Sequence, residues 1–219
     1  MKSKTRAKPA PAPLKDLIVL AADKNISSAI EGILSRPRPL GIRNLDVEIH
    51  VHPEKDPGCL TRSADLLRVF LKSCNRALVI FDREGCGQDQ KSRQDLEGQV
   101  LKNLEQAGWH ERAAVIVIDP ELENWIWSSS PHVATELGWK HQAGPLPTWL
   151  CQNGFLENED QIKPLRPKEA MEAVLKKVRK PRSSAIYRAI AGKVSFERCV
   201  DPAFLKLKAS LQSWFSETS

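Results

Sequence analysis

No run of about 18 apolar residues, the length needed to cross a bilayer, occurs in this chain of 219 residues. The opening MKSKTRAKPAPAP lacks the apolar centre of a secretory signal, so the protein is expected to stay in the cytoplasm and clear of membranes. Cysteine is sparse: Cys59, Cys74, Cys86, Cys151 and Cys199 are scattered, odd in number and nowhere spaced C-x-x-C. That distribution points to reduced thiols and away from a zinc site. Neither a G-x-x-x-x-G-K-S/T loop nor a G-x-G-x-x-G turn is present, so nucleotide hydrolysis and dinucleotide binding lack sequence support. No repeat of fixed period is visible.

What is present is a globular balance, with 41% hydrophobic and 27% charged residues, from which a folded core is expected. The length suits one domain with additions or two small ones. The formal charge of +6 suggests nucleic acid until it is located. Lys2, Lys4, Arg6, Lys8 and Lys15 supply most of it, with no acid among residues 1–15, so the remainder is nearly neutral. Attraction to phosphate is therefore expected to be local, and residues 1–14, rich in Lys, Ala and Pro, read as a flexible basic leader.

Strands and helices alternate after the leader. DLIVLAA (16–22) is a short continuous apolar run, as in a strand buried on both faces, and NISSAIEGIL (25–34) puts Ile26, Ile30, Ile33 and Leu34 on one helical stripe. LDVEIHVH (45–52) alternates as a strand; TRSADLLRVFLKSC (61–74) reads as a helix capped by Thr61. ALVIFD (77–82) and AAVIVID (113–119) are further apolar strands, separated by an amphipathic helix over 90–108 that ends at Gly108. This order predicts an α/β fold: an open, mainly parallel sheet with helices on both faces.

After Pro120 the pattern turns helical, first in ELENWIW and then from PKEAMEAVLKKVRK through SSAIYRAIAG to DPAFLKLKASLQSWF. Residues 15–130 are read as the α/β core and 131–219 as a mainly helical extension packed on it. Four of the six tryptophans, Trp125, Trp127, Trp139 and Trp149, crowd into this region and are expected to cap a core rather than bind bases.

Ligands of open α/β sheets bind beyond the carboxyl ends of the strands. There the first apolar strand delivers Asp23 and Lys24, the second Asp82, Arg83 and Glu84, and the third Asp119, followed by Glu121 and Glu123. In extended backbone Asp82 and Glu84 project to the same side. Two neighbouring carboxylates repel unless a cation or hydrogen bonds compensate, and hard oxygen donors suit Mg²⁺ or Mn²⁺. The same D-x-E before Gly85, Cys86 and Gly87 also reads as a polar turn, and Glu123 as an acid at a helix start. His50 and His52 share a strand face without a third soft ligand nearby, and KKVRKPR (176–182) reads as a solvated helix end.

This arrangement resembles a TOPRIM-type domain, in which a Glu follows the first strand and an acidic pair follows a later one; VIFDRE matches the second element. A closer likeness is to the RloB-like family and related TOPRIM-like proteins of phage-defence loci, including methylation-associated ones. These carry a P-x-x-E-x-W signature, matched by Pro120, Glu123 and Trp125, and the likeness extends over roughly residues 16–215. The first element differs: RloB-like chains have an E-G-x-x-T-E segment where this one reads LAADKNISSAIEG, so Asp23 is the nearest carboxylate and Glu31 lies deeper in the helix.

The resemblance implies metal-dependent phosphodiester chemistry on nucleic acid. Asp82 and Glu84 would hold Mg²⁺ or Mn²⁺, Glu123 would complete the shell or orient water, Asp23 would handle protons and Lys24 would stabilise phosphate charge. The alternative it implies is a non-catalytic TOPRIM-like subunit that binds nucleic acid or another defence protein, which accounts for the altered first element. A phosphoacceptor receiver is a third class, but it needs a hydroxyl residue where Asp119 and Pro120 stand.

Overall fold

The computed structural model describes residues 14–217, so the leader assigned to residues 1–14 lies outside the described residues except for Leu14. Four strands, β1 (Lys15–Ala21), β2 (Val47–Val51), β3 (Cys74–Asp82) and β4 (Ala113–Ile118), form one open sheet in the order β2-β1-β3-β4. Every pairing is parallel, with Val19 opposite Ile49 and Leu78, and Ile80 opposite Ile116. Five successive β1 residues, Leu17 to Ala21, are buried. Because consecutive side chains point to opposite faces, that run requires cover on both sides of the sheet. The α/β fold with helices on both faces is thus as the apolar runs predict.

The helix α1 (Lys24–Leu34) starts at Asp23, whose Oδ1 accepts the Ile26 N–H at 2.8 Å, and buries Ile26, Ile30 and Ile33. Its main partner is α9 (Ser184–Ala191). Gly32 makes that approach possible, since a Cβ there would stand 2.5 Å from the Arg188 carbonyl oxygen. A four-residue turn, α2 (Pro37–Leu40), leads to edge strand β2.

The next helix differs from expectation. Thr61 does not cap it; α3 (Lys55–Leu67) begins six residues earlier, and Thr61 Oγ1 donates to the Pro57 carbonyl within the helix. Pro57 and Gly58 look like breakers, but Pro57 is the third helical residue, where an N–H would lack an intrahelical partner anyway, and the Gly58 N–H closes the first turn on the Glu54 carbonyl at 3.2 Å. Gly58 is also required there, because a Cβ would fall 2.1 Å from His52 Nδ1. The long amphipathic helix is α4 (Arg93–Leu104), capped by Ser92 and extended by one wide turn to Trp109 through Gly108 at φ 107°.

Beyond β4 the chain is helical: α5 (Glu123–Ile126), α6 (Pro131–Leu137), α7 (Leu146–Gln152), α8 (Pro167–Lys177), α9 and α10 (Pro202–Phe215). These helices share the sheet's hydrophobic core: α10 lies against β4, α8 against α5, and α9 against α1 and α6. The tryptophans cap that core as expected. Trp127 and Trp139 are buried, and Trp125 meets Phe204 edge to face at 5.6 Å. Among the described residues no helix is long and apolar enough to cross a membrane.

Candidate functional site

The carboxyl ends of β1, β3 and β4 share one edge of the sheet, and acids collect there. Asp82 is the last residue of β3. Its Oδ1 is shut off from solvent and has no hydrogen-bond partner. Burial raises the Asp82 carboxyl well above the usual carboxylate range, and the charges of Asp56, Glu123 and Asp23 push it further, while the Leu122 backbone amide alongside partly offsets them. An unpaired buried carboxylate is costly, and it is relieved either by a proton or by a cation.

Asp56, in the first turn of α3, was not anticipated from the sequence. Its Oδ1 accepts the Asp82 backbone N–H at 2.9 Å, which anchors it beside the end of β3. Its own carboxyl is raised by burial, an effect that the backbone hydrogen bonds it accepts oppose. The available signal is positional: Asp56 follows β2 as Asp23 follows β1, but β2 alternates and lacks the continuous apolar run that marks the other strand ends.

Asp82 and Glu84 stand in different settings. The strand stops at Asp82, so the two-residue period of extended backbone no longer governs Glu84, which is exposed in the turn beyond. That turn is held by the Glu84 N–H donating to the Pro120 carbonyl at 3.0 Å. Glu84 bears instead on Glu121, whose carboxyl is raised by burial and by Glu123 and is held in check by Lys168 at 3.1 Å. Asp119 is paired with Arg83 at 2.8 Å.

Glu123 is 2% exposed and sits at the start of α5. Its Oε1 accepts from Arg182 Nη2 and from the Tyr187 hydroxyl, both at 2.5 Å, leaving only Oε2 for another partner. Burial and the nearby Glu123 raise the Tyr187 hydroxyl, so it remains a proton donor. Arg182 ends the basic run KKVRKPR, and it binds Glu172 at 3.0 Å besides Glu123, so this part of the run is inward-turned rather than solvated. The short connection between α8 and α9 carries it there; nothing in the local sequence marks which cation of the run turns in.

The remaining candidates are less available. Asp23 caps α1, and Lys24 is largely exposed and 3.7 Å from Glu31. His50 contacts Glu48 at 2.6 Å on the exposed edge, whereas His52 is buried and its Nδ1 accepts the Glu54 N–H at 3.0 Å. Trp125, of the P-x-x-E-x-W segment, donates through Nε1 to Asp201 at 2.9 Å. Asp201 also accepts from Asn124 at 2.8 Å and caps α10, which fixes the segment bearing Glu121 and Glu123.

Among the described residues no three His, Cys, Asp or Glu side chains stand close enough to form a ready-made metal cage. Mg²⁺ does not need one, since it keeps several waters and takes one or two protein carboxylates. The orphaned Asp82 oxygen among other acids has the chemistry of such a ligand. No family model, curated protein or solved structure matches the chain.

Proposed function

We propose that the chain is a TOPRIM-like, metal-dependent nuclease-type protein that acts on nucleic acid in prokaryotic anti-phage defence. The observation that supports the reading is Asp82: a strand-end carboxylate with one buried, unpartnered oxygen, set among Asp56, Glu123 and Asp23. Asp82 would hold Mg²⁺ or Mn²⁺, with Asp56 beside it and Glu84 at the open side. The bound ion would supply Lewis-acid stabilisation of phosphate charge and an activated water. Of the chain's own groups, Arg182 and Tyr187 hold Glu123 Oε1 in place, and Lys168 holds Glu121. Lys24, exposed at the start of α1 and 3.7 Å from Glu31, would exchange that partner for a phosphate. The defence setting and the nucleic-acid substrate rest on the resemblance of VIFDRE and P-x-x-E-x-W to RloB-like chains.

A second reading, the non-catalytic TOPRIM-like subunit that binds nucleic acid or a partner protein, draws support from the engagement of Asp23 by its helix cap and of Glu123 by Arg182. Two measurements separate the readings. Calorimetric titration with MgCl₂ and MnCl₂ reports metal binding, and incubation with single- and double-stranded DNA and RNA reports cleavage. Metal-dependent cleavage abolished by Asp82→Ala supports the first reading. Metal binding or partner binding without cleavage supports the second, and cleavage that persists in EDTA overturns the first.

A further inference from the structure

An apolar cavity of about 160 Å³ lies behind the acidic edge, between α1, α5, α9 and the segment leading into α10. Its walls include Trp125, Trp127, Phe196 and Phe204, with Ile33 and Ile190 from the packed helix pair. It opens to solvent beside Val200, 78% exposed, and Ile162, 53% exposed. Two apolar side chains at a rim are unusual for a void that is merely part of a core, because isolated core gaps are closed and small.

The size sets the occupant. A cavity of roughly 150 Å³ lined by apolar side chains accepts a single benzene-sized group, so this one takes one aromatic ring or a short alkyl chain. Charge sets its other end. Lys163 and Arg198 line the cavity and no Asp or Glu does. Lys163 is committed to Asp201 at 3.3 Å. Arg198 is exposed and makes no ion pair among the described residues, so it is the group available to an anion.

We propose that this cavity binds a small arylalkyl or short-chain carboxylate, with its apolar end between Trp125, Trp127 and Phe204 and its carboxylate on Arg198. The site communicates with the acidic edge through one segment. Leu122, Asn124, Trp125 and Ile126 line the cavity, and the same stretch carries Glu121, Glu123 and the Leu122 amide that faces Asp82. Occupation of the cavity therefore fixes the backbone on which those carboxylates stand. The proposal does not depend on nuclease activity.

Phenylacetate is the probe and toluene its uncharged counterpart, titrated into the full chain while tryptophan emission is recorded. Alkylation of Cys199, which also lines the cavity, is followed by peptide mass analysis with and without the probe. Saturable change with phenylacetate, protection of Cys199, and about tenfold weaker phenylacetate binding in Arg198→Gln with toluene unaffected are expected, as loss of one charge-assisted contact predicts. Arg198 is exposed, so the variant is expected to fold as the parent does. Absence of saturable binding by either probe, binding without Cys199 protection, or equal phenylacetate affinity in Arg198→Gln overturns the proposal.

Discussion

Asp56 accepts the backbone N–H of Asp82 through Oδ1 at 2.9 Å, which ties the first turn of α3 to the last residue of β3 and leaves two acids within each other's field. A hydrogen bond that positions one carboxylate thus raises the cost of ionising another. The consequence is a site that favours either a proton or a cation, and the two alternatives have different signatures.

Without metal, the proton governs. Burial, first, and Asp56, second, hold the Asp82 carboxyl above its unfolded value, so the native state retains a proton that the unfolded state has released. The stability tied to neutral Asp82 is fully present below about pH 4 and is lost as the pH rises through the raised native value. Asp82→Asn removes the ionisation. In EDTA the variant is expected to be more stable than the parent at pH 8 by about 1–3 kcal/mol, the scale of an unsatisfied buried polar group, with the gap closing toward pH 4. Urea denaturation at several pH values measures this, and parallel profiles for the two proteins would show that Asp82 is not strained.

With metal, the same carboxylate becomes a ligand. A cation that binds only the native state stabilises it by about 2.7 kcal/mol at a hundred times its Kd, which for a chain of this size raises Tm by roughly 5–10 °C. MgCl₂ or MnCl₂ is expected to produce such a rise, EDTA to reverse it, and Asp82→Asn to abolish it. Differential scanning fluorimetry decides the matter; an equal rise in the variant places the ion elsewhere.

The sheet was legible because strands buried on both faces leave continuous apolar runs, as DLIVLAA, ALVIFD and AAVIVID do. The acids at their ends follow from the same reading. Asp56 was not legible, since it follows an alternating edge strand and sits in a D-P-G context that resembles a turn. The partners of Glu123 were hidden for a different reason. Arg182 and Tyr187 are separated from it by 59 and 64 residues, and which cation of KKVRKPR folds inward depends on how α8 and α9 pack, a tertiary outcome with no local signal.

Asp201 offers a test of how the P-x-x-E-x-W segment is held. It caps α10 through the Ala203 and Phe204 N–H groups and accepts from Asn124 and Trp125. Losing a cap alone costs about 0.5–2 kcal/mol. Asp201→Ala also strands three side-chain donors, those of Asn124, Trp125 and Lys163, so its cost is expected to exceed the top of that range, with tryptophan emission altered in the native state. Chemical denaturation monitored by fluorescence reports both quantities. A loss confined to the cap range would mean that Asn124 and Trp125 find other partners.

The pair of Glu123 and Arg182 is the last point at which the site can be broken in a diagnostic way. Glu123 is 2% exposed, so Arg182→Met leaves a buried carboxylate with Tyr187 as its remaining donor. Removing one partner of a buried pair costs about 3–5 kcal/mol. The Arg182 side chain is 33% exposed, and screening by water brings the expected loss to the low end of that range or below. Arg182→Lys is expected to recover only part, because an ammonium cannot reproduce the fork that spans Glu123 and Glu172. Adding Glu123→Gln to Arg182→Met removes the stranded charge, so the double variant is expected to be more stable than the two single losses combined would give. Urea denaturation of the four proteins yields the coupling. Strict additivity would mean that the two side chains do not depend on each other, and that Tyr187 alone holds Glu123 Oε1.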